Sequence, residues 1–231
     1  KRNRFSHEGL LAYNSLDNFY MTNLWTNLSK NNDNKNAQYI RGTQKNIELL
    51  QEIKEKFNDE KVIIVANLPY YITTPILMAL LESRLPFSSI TVMVQKEVAD
   101  KVLAQPGDDN WGPLALRCQF YCEPYLAMDV PAACFTPAPK VDSAFVCMPW
   151  RDTPSVQVKD ETLFFKVVNA AFAMRRKTLR NGLASGFPEL GKTGAAEVIE
   201  AAGFDANVRG ETLGIPEFAR IANEIVKRRN K

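Results

Sequence analysis

Asn67-Leu68-Pro69-Tyr70 directly follows the apolar run Val62-Ile63-Ile64-Val65-Ala66. The Asn67 side-chain oxygen and the Leu68 backbone carbonyl are two hydrogen-bond acceptors side by side. Pro69 has no N–H and fixes its own φ, which restrains the turn. The Tyr70 ring offers a flat face on which a base can stack, worth on the order of 1–3 kcal/mol. This set suits the exocyclic amine of adenine. That amine is a poor nucleophile because its lone pair is delocalised into the ring. Two acceptors that hold it pyramidal would localise the lone pair without any strong base. Positioning against a methyl donor would then carry the transfer. Asn, Pro and Tyr also build ordinary strand-to-helix turns, so the tetrapeptide alone leaves both readings open.

The elements around it read as an α/β domain. Val62 to Ala66 is β-branched with no polar alternation, the pattern of a strand buried on both faces in a parallel sheet. Ligands bind at the carboxyl ends of such strands, which is where Asn67 falls. Helical periodicity is expected over Leu16 to Leu28, Asn46 to Phe57, Thr74 to Glu82 and Lys96 to Ala104. Strands are expected at Gln38 to Arg41, Ile90 to Gln95, Leu114 to Tyr121 and Ala144 to Met148. From Lys159 onward the pattern is helical: one long stretch from Leu163 to Leu183 ended by Gly182 and Gly186, then Thr193 to Ala202, then Pro216 to Arg228. The expected organisation is a Rossmann-like domain over residues 1–152, with 1–35 atypical, and a small helical domain over 153–231.

Charge adds a weak pointer. The net charge is +3, but residues 1–150 hold 15 basic against 16 acidic side chains, and residues 151–231 hold 14 against 10. A phosphate-facing surface is therefore expected in the C-terminal third, and a solvated helix surface is the competing reading. The four cysteines have one histidine, His7, for company, so a zinc site is not expected and reduced, mostly buried thiols are. The longest apolar runs fall far short of a membrane span, and residues 1–11 lack an apolar signal core, so a cytoplasmic protein is expected.

Four blocks carry a resemblance: VANLPYYITTPILMALL (65–81), VMVQKEVADKVLA (92–104), FTPAPKVDSAFV (135–146) and FAMRRKTLRNGL (172–183). In this order they closely resemble the bacterial 16S rRNA adenine dimethyltransferases. Those enzymes use S-adenosylmethionine to dimethylate two adjacent adenines in a small-subunit rRNA hairpin. The 23S rRNA macrolide-resistance methyltransferases share Asn-(Leu/Ile)-Pro-Tyr, but the RRKTLRN-like block points to the small-subunit branch. The resemblance implies that Asn67 and Leu68 hold the target amine, that Pro69 shapes their turn and that Tyr70 stacks on the adenine. It also implies that Phe135 closes the other face of a base extruded from its stack. On the residues alone, Phe135 is equally a core aromatic before a proline turn. Arg175, Arg176, Lys177 and Arg180 would grip RNA phosphate, 176 and 180 sharing a helix face. A charged outer helix face is the alternative.

The donor side departs from the family. A Glu-x-Gly-x-Gly loop is expected early in the chain, yet residues 1–60 contain only Gly9 and Gly42. Such a loop needs glycine for the backbone to approach a cofactor. Asn67 would border the donor. Asn18 and Tyr20 stand in a segment similar to the family's opening one, and Thr43 stands where an adenine-contacting Asp is expected. The first two strands are thus expected to be missing or replaced by residues 1–35, which would leave a neighbouring strand edge to be covered. The implied partner is 16S rRNA within an immature small subunit, met by a monomer. The alternatives are a catalytically dead rRNA-binding remnant and an adenine-specific DNA methyltransferase.

Overall fold

The computed structural model describes residues 62–83, 85, 87–174 and 176–229 in full, and residues 10–15 and 18–22 by their backbone. Strands β1 (Leu10–Ser15), β2 (Asn18–Thr22), β3 (Val62–Asn67), β4 (Phe87–Gln95), β5 (Tyr125–Val130) and β6 (Ser143–Pro149) form one sheet in the order β2-β1-β3-β4-β6-β5. Among the described strands, β3 and β4 are the one neighbouring pair in parallel, and they place Asn67 beside Met93. Strand β6 is antiparallel to both β4 and β5, and β1 is antiparallel to β3. Helices α1 (Thr73–Glu82) and α2 (Lys96–Leu103) follow β3 and β4. The α/β, Rossmann-like class is therefore present, with an antiparallel hairpin, β1–β2, on the β3 edge.

One compact unit takes residues up to 99 together with 123–150. Its core is Val62, Ile64, Ala66, Ile90, Val92, Val94, Ala144, Val146 and Met148 from the sheet, with Ile76, Leu77, Leu80 and Leu81 from α1. Strand β3 is not buried on both faces as its composition suggests. Val62, Ile64 and Ala66 are buried, whereas Val65 on the opposite face is 38% exposed. A β-branched run thus lies on a face that no described helix closes.

The second unit takes residues 100–122 and 151 onward, a grouping of 100–122 that the sequence expectation does not contain. It holds α3 (Pro113–Tyr121), α4 (Glu161–Ala173), α5 (Leu179–Gly186), α6 (Gly191–Ala201) and α7 (Ile215–Arg229). The expected strand over Leu114 to Tyr121 is in fact α3. Extended Gly112 precedes it and Pro113 opens its first turn. Leu114, Ala115, Leu116, Arg117, Cys118, Phe120 and Tyr121 are all buried, so the helix is buried nearly all round and shows no exposed polar face to distinguish it from a buried strand. Phe120 stacks on Phe164 at 5.1 Å between centroids, and Trp111 donates its Nε1–H to the Leu213 carbonyl at 2.9 Å.

The single helix expected over Leu163 to Leu183 is two. Met174 leaves helical geometry (φ −126°, ψ 62°), and Thr178 is extended (φ −65°, ψ 154°) before α5 starts. The Leu179 N–H donates to the Val208 carbonyl at 2.8 Å instead of continuing a helix. Gly182 and Gly186 mark no helix end at 182: they permit close packing on α4. A Cβ at Gly182 would meet the Ala170 carbonyl oxygen at 2.5 Å, and one at Gly186 would meet the Ala170 Cβ at 2.6 Å. The expected helix over Leu16 to Leu28 is a strand at Asn18–Thr22. The expectations for Gln38 to Arg41 and Asn46 to Phe57 lie outside the described residues.

Candidate functional site

The tetrapeptide ends β3 at the carboxyl edge of the parallel pair. The Leu68 N–H donates to the Met93 carbonyl at 3.1 Å, which carries the β3–β4 ladder one residue past Asn67. Leu68 as a whole is only 3% exposed, so its side chain packs into the core at the cavity wall. Pro69 (φ −60°, ψ 129°) then turns the chain. Its carbonyl accepts twice, from the Ile72 N–H at 3.1 Å and from the Thr73 hydroxyl at 3.0 Å, and this starts the 3-10 turn Tyr70–Ile72 and helix α1. The Asn67 amide has no hydrogen-bond partner among the described residues.

Residues 131–142 make the facing wall in the same unit. A 3-10 turn, Ala132–Cys134, leads into extended Phe135 (φ −112°, ψ 151°), followed by a cis Thr136–Pro137 peptide. Asp142 fixes this segment at its far end. Its Oδ1 accepts from the Ala132 N–H at 2.8 Å, and its backbone carbonyl accepts from the Lys96 N–H at 3.0 Å. Between the two walls lies a cavity of about 420 Å³. Asn67, Leu68, Pro69 and Tyr70 line one side, Phe135, Thr136, Pro137 and Pro139 the other, with Met93 and Tyr71 completing it. That volume lies within the usual range of about 300–1,000 Å³ for ligand pockets and leaves room for a purine base. The arrangement gives an unpartnered amide and two aromatic rings around an apolar slot.

All five sequence-singled residues of the acceptor side therefore meet in one cavity: Asn67, Leu68, Pro69, Tyr70 and Phe135. Sequence reasoning missed Tyr71, Met93 and Ser143. Ser143 lies within hydrogen-bond reach of the Tyr70 hydroxyl at 2.5 Å. Tyr71 adjoins the tetrapeptide and Ser143 lies inside the FTPAPKVDSAFV block, so adjacency was the available signal.

The residues expected on the donor side are not gathered in the same way. Asn18 and Tyr20 lie in β2, two strands from β3. Tyr20 pairs with Ala12, which pairs with Ile64, and Asn18 pairs with Ser15, further still from the Asn67 end. Thr43 lies outside the described residues. Of the residues expected on the donor side, Asn67 is the one among the described residues that lines the cavity. The glycine loop has no counterpart in the sequence.

On the helical unit, Arg176 and Lys177 are exposed in the turn between α4 and α5, and Arg175 lies outside the described residues. Arg180 is half-buried in the first turn of α5, so it does not continue a helix face with Arg176 as expected. Its Nε is buried without a hydrogen-bond partner. The C-terminal cations are largely neutralised: Lys227 pairs with Glu224, Arg228 with Glu197 at 2.5 Å and Arg229 with Glu189 at 2.6 Å. The Arg229 hydrogen bond holds the Glu189 carboxyl below its ordinary range. Neither Arg176 nor Lys177 has an ion-pair partner among the described residues, so that turn carries unneutralised positive charge. Burial pushes the Cys122 thiol up from about 9 to about 12 against the nearby Arg151, and pushes Cys118 higher still. Both stay neutral and packed.

Comparisons with known proteins agree with this geometry. A family model described as ribosomal RNA adenine dimethylase matches residues 20–227. The ribosomal RNA small subunit methyltransferase A of Alkaliphilus oremlandii (strain OhILAs) is 44% identical over 193 residues, covering 84% of this chain and 67% of that protein. Its namesake from Listeria monocytogenes serotype 4b (strain CLIP80459) is 46% identical over 192 residues, covering 81% of this chain and 65% of that protein. The chain thus spans about two thirds of the length of these curated relatives. Among solved structures, a dimethyladenosine transferase from Plasmodium falciparum superposes with a TM-score of 0.64 at 24% identity, over 74% of this chain and 68% of that one. The 23S rRNA methyltransferase ErmE gives 0.54 at 20% identity, over 78% of each chain. At those identities the two structures show the fold alone.

Proposed function

The chain belongs to the ribosomal RNA adenine dimethylase family, and we propose that it dimethylates adenine exocyclic amines in small-subunit rRNA with S-adenosylmethionine as donor. The observation that carries this is the cavity in which the unpartnered Asn67 amide, Tyr70 and Phe135 meet. An extruded adenine enters between the two aromatic walls. The Asn67 side-chain oxygen and the Leu68 carbonyl accept its two N–H groups and hold the nitrogen pyramidal. Tyr70 stacks on one face and Phe135 on the other, which restricts the base to the geometry that reacts. The donor supplies an electrophilic methyl group. Asn67 borders that group, and Thr43, Asn18 and Tyr20 remain candidates for the rest of its site. Arg175, Arg176, Lys177 and Arg180 bind rRNA phosphate, sequence-independently. The place of action is the cytoplasm and the substrate an immature small subunit, met by a monomer. No helix among the described residues is long and apolar enough to cross a membrane.

The comparisons favour neither the RNA-binding remnant nor the DNA methyltransferase. The test is direct. Purified protein should transfer labelled methyl from S-adenosylmethionine to immature small subunits and leave duplex DNA unlabelled. Calorimetric titration with the donor should show saturable binding. RNA binding with no donor binding and no transfer would refute the catalytic reading.

A further inference from the structure

We propose that Ser143 is a positioning residue for the base-stacking ring of Tyr70. This rests on the adenine-dimethylation reading and deepens it. Ser143 is the first residue of β6 and is fully buried. Strand pairing holds it from both sides, beside Gln95 of β4 and Val130 of β5. Its Cα is therefore among the most constrained points near the cavity, and its hydroxyl needs a partner. That partner is the Tyr70 hydroxyl at 2.5 Å, 73 residues away in sequence. A tyrosine at the start of a one-turn 3-10 helix can otherwise swing about two side-chain torsions. Fixing its far end selects one ring orientation, which is what a stacking platform requires.

The same point governs the other wall. Ser143 follows Asp142, whose carboxylate accepts the Ala132 N–H at 2.8 Å, and the Phe135 N–H donates to the Ala132 carbonyl at 3.2 Å. Tyr70 and Phe135 are thus both referred to the dipeptide Asp142-Ser143. The gap between the two rings is set by one covalent step and a few hydrogen bonds. Removing the Ser143 hydroxyl leaves both rings present and loosens only the Tyr70 side of that gap.

Ser143→Ala and Tyr70→Phe separate this from a purely structural role. Each should lower single-turnover methyl transfer about three- to tenfold, the range set by losing one neutral hydrogen bond, with KM for the small subunit within about twofold. The double variant should be no slower than the slower single variant, because both remove the same bond. A hairpin carrying 2-aminopurine at the target position should lose part of its binding-induced fluorescence change in both variants. Thermal melting accompanies each measurement, so that a folding defect is visible. Parental kinetics and fluorescence in Ser143→Ala, or multiplicative losses in the double variant, would overturn the proposal. If the parent protein transfers no methyl at all, the dimethylation reading fails instead, and the 2-aminopurine arm still judges the tether.

Discussion

Replacing Phe135 by Ala tests whether the cavity is a base sandwich. A phenylalanine side chain covers about 150–250 Å² when wholly enclosed. Phe135 is already half-buried, so a stacked base can cover on the order of 50 Å² more, about 1.3 kcal/mol at 25 cal/mol per Å². Aromatic geometry adds about 0.5–1.5 kcal/mol beyond area. The total, about 2–3 kcal/mol, agrees with the on-the-order-of 1–3 kcal/mol found for base stacking on aromatics generally. At about 1.36 kcal/mol per tenfold, Phe135→Ala should lower kcat/KM roughly 30- to 160-fold.

The loss should fall mainly on kcat. Phosphate contacts hold the RNA whether or not its base is extruded, while the stack stabilises only the extruded, reacting state. The assay is methyl transfer to immature small subunits at varied subunit concentration, with melting temperatures alongside. Phe135→Leu keeps the apolar bulk and loses the flat face, so it should recover stability and little activity. A Phe135→Ala enzyme within twofold of the parent would falsify the sandwich. So would a Phe135→Leu enzyme as active as the parent, since that would make the residue a packing aromatic.

Other outcomes follow from the same geometry. Gly182→Ala puts a Cβ 2.5 Å from the Ala170 carbonyl oxygen, so urea unfolding should show about 1–3 kcal/mol of lost stability. An unchanged midpoint would mean that α4 and α5 do not cross there. Arg176→Ala with Lys177→Ala should weaken rRNA binding across sequences and reduce the slope of log K against log salt by about 2. An unchanged slope would return that turn to ordinary solvated surface. Burial raises the Cys122 thiol to about 12, so the folded state keeps a proton that an unfolded thiol loses near 9. Its contribution to stability is complete below pH 9 and declines as pH rises from 9 toward 12. Urea midpoints at pH 7, 9 and 10.5 should fall less steeply in Cys122→Ala, and at pH 8 maleimide should label exposed Cys134 while sparing Cys118 and Cys122.

What the sequence revealed follows from how locally each feature is encoded. Asn67 to Tyr70 are consecutive, so their chemistry could be read without knowing the fold. Phe135 could not, because a half-buried aromatic before a proline turn is ambiguous until the β3 and β6 ends meet. Met93 enters the cavity only through the parallel register that sets it beside Asn67. Ser143 matters only through a contact spanning 73 residues. Helix α3 was misread because it is buried nearly all round, which erases the 3.6-residue period. The break after Met174 carries no Gly or Pro to mark it: residues 174–177 are good helix formers overruled by the Leu179–Val208 hydrogen bond and the tight Gly182 crossing.

The hairpin on β3 bears on where the proposed donor half of the site can lie. Strand β1 pairs along the β3 edge, but it runs antiparallel. Leu10, where β1 begins, pairs with Ala66 near the catalytic edge, and Tyr13 pairs with Ile63 toward the other end. The carboxyl end of β1 therefore points away from Asn67. In an open α/β sheet, ligands are met by the loops that leave carboxyl ends at the shared edge. An antiparallel neighbour delivers no such loop there. The acceptor pocket does not need one: it is assembled from β3, β4 and β6, the Leu68–Met93 and Tyr70–Ser143 bonds, and Asp142. Strand β2, by contrast, points the same way as β3, and Thr22 at its carboxyl end pairs with Leu10, which pairs with Ala66. Acceptor-base binding should accordingly survive changes in residues 10–22 that alter donor affinity. Loss of 2-aminopurine capture on disrupting β1 alone would show that the two halves are built together after all.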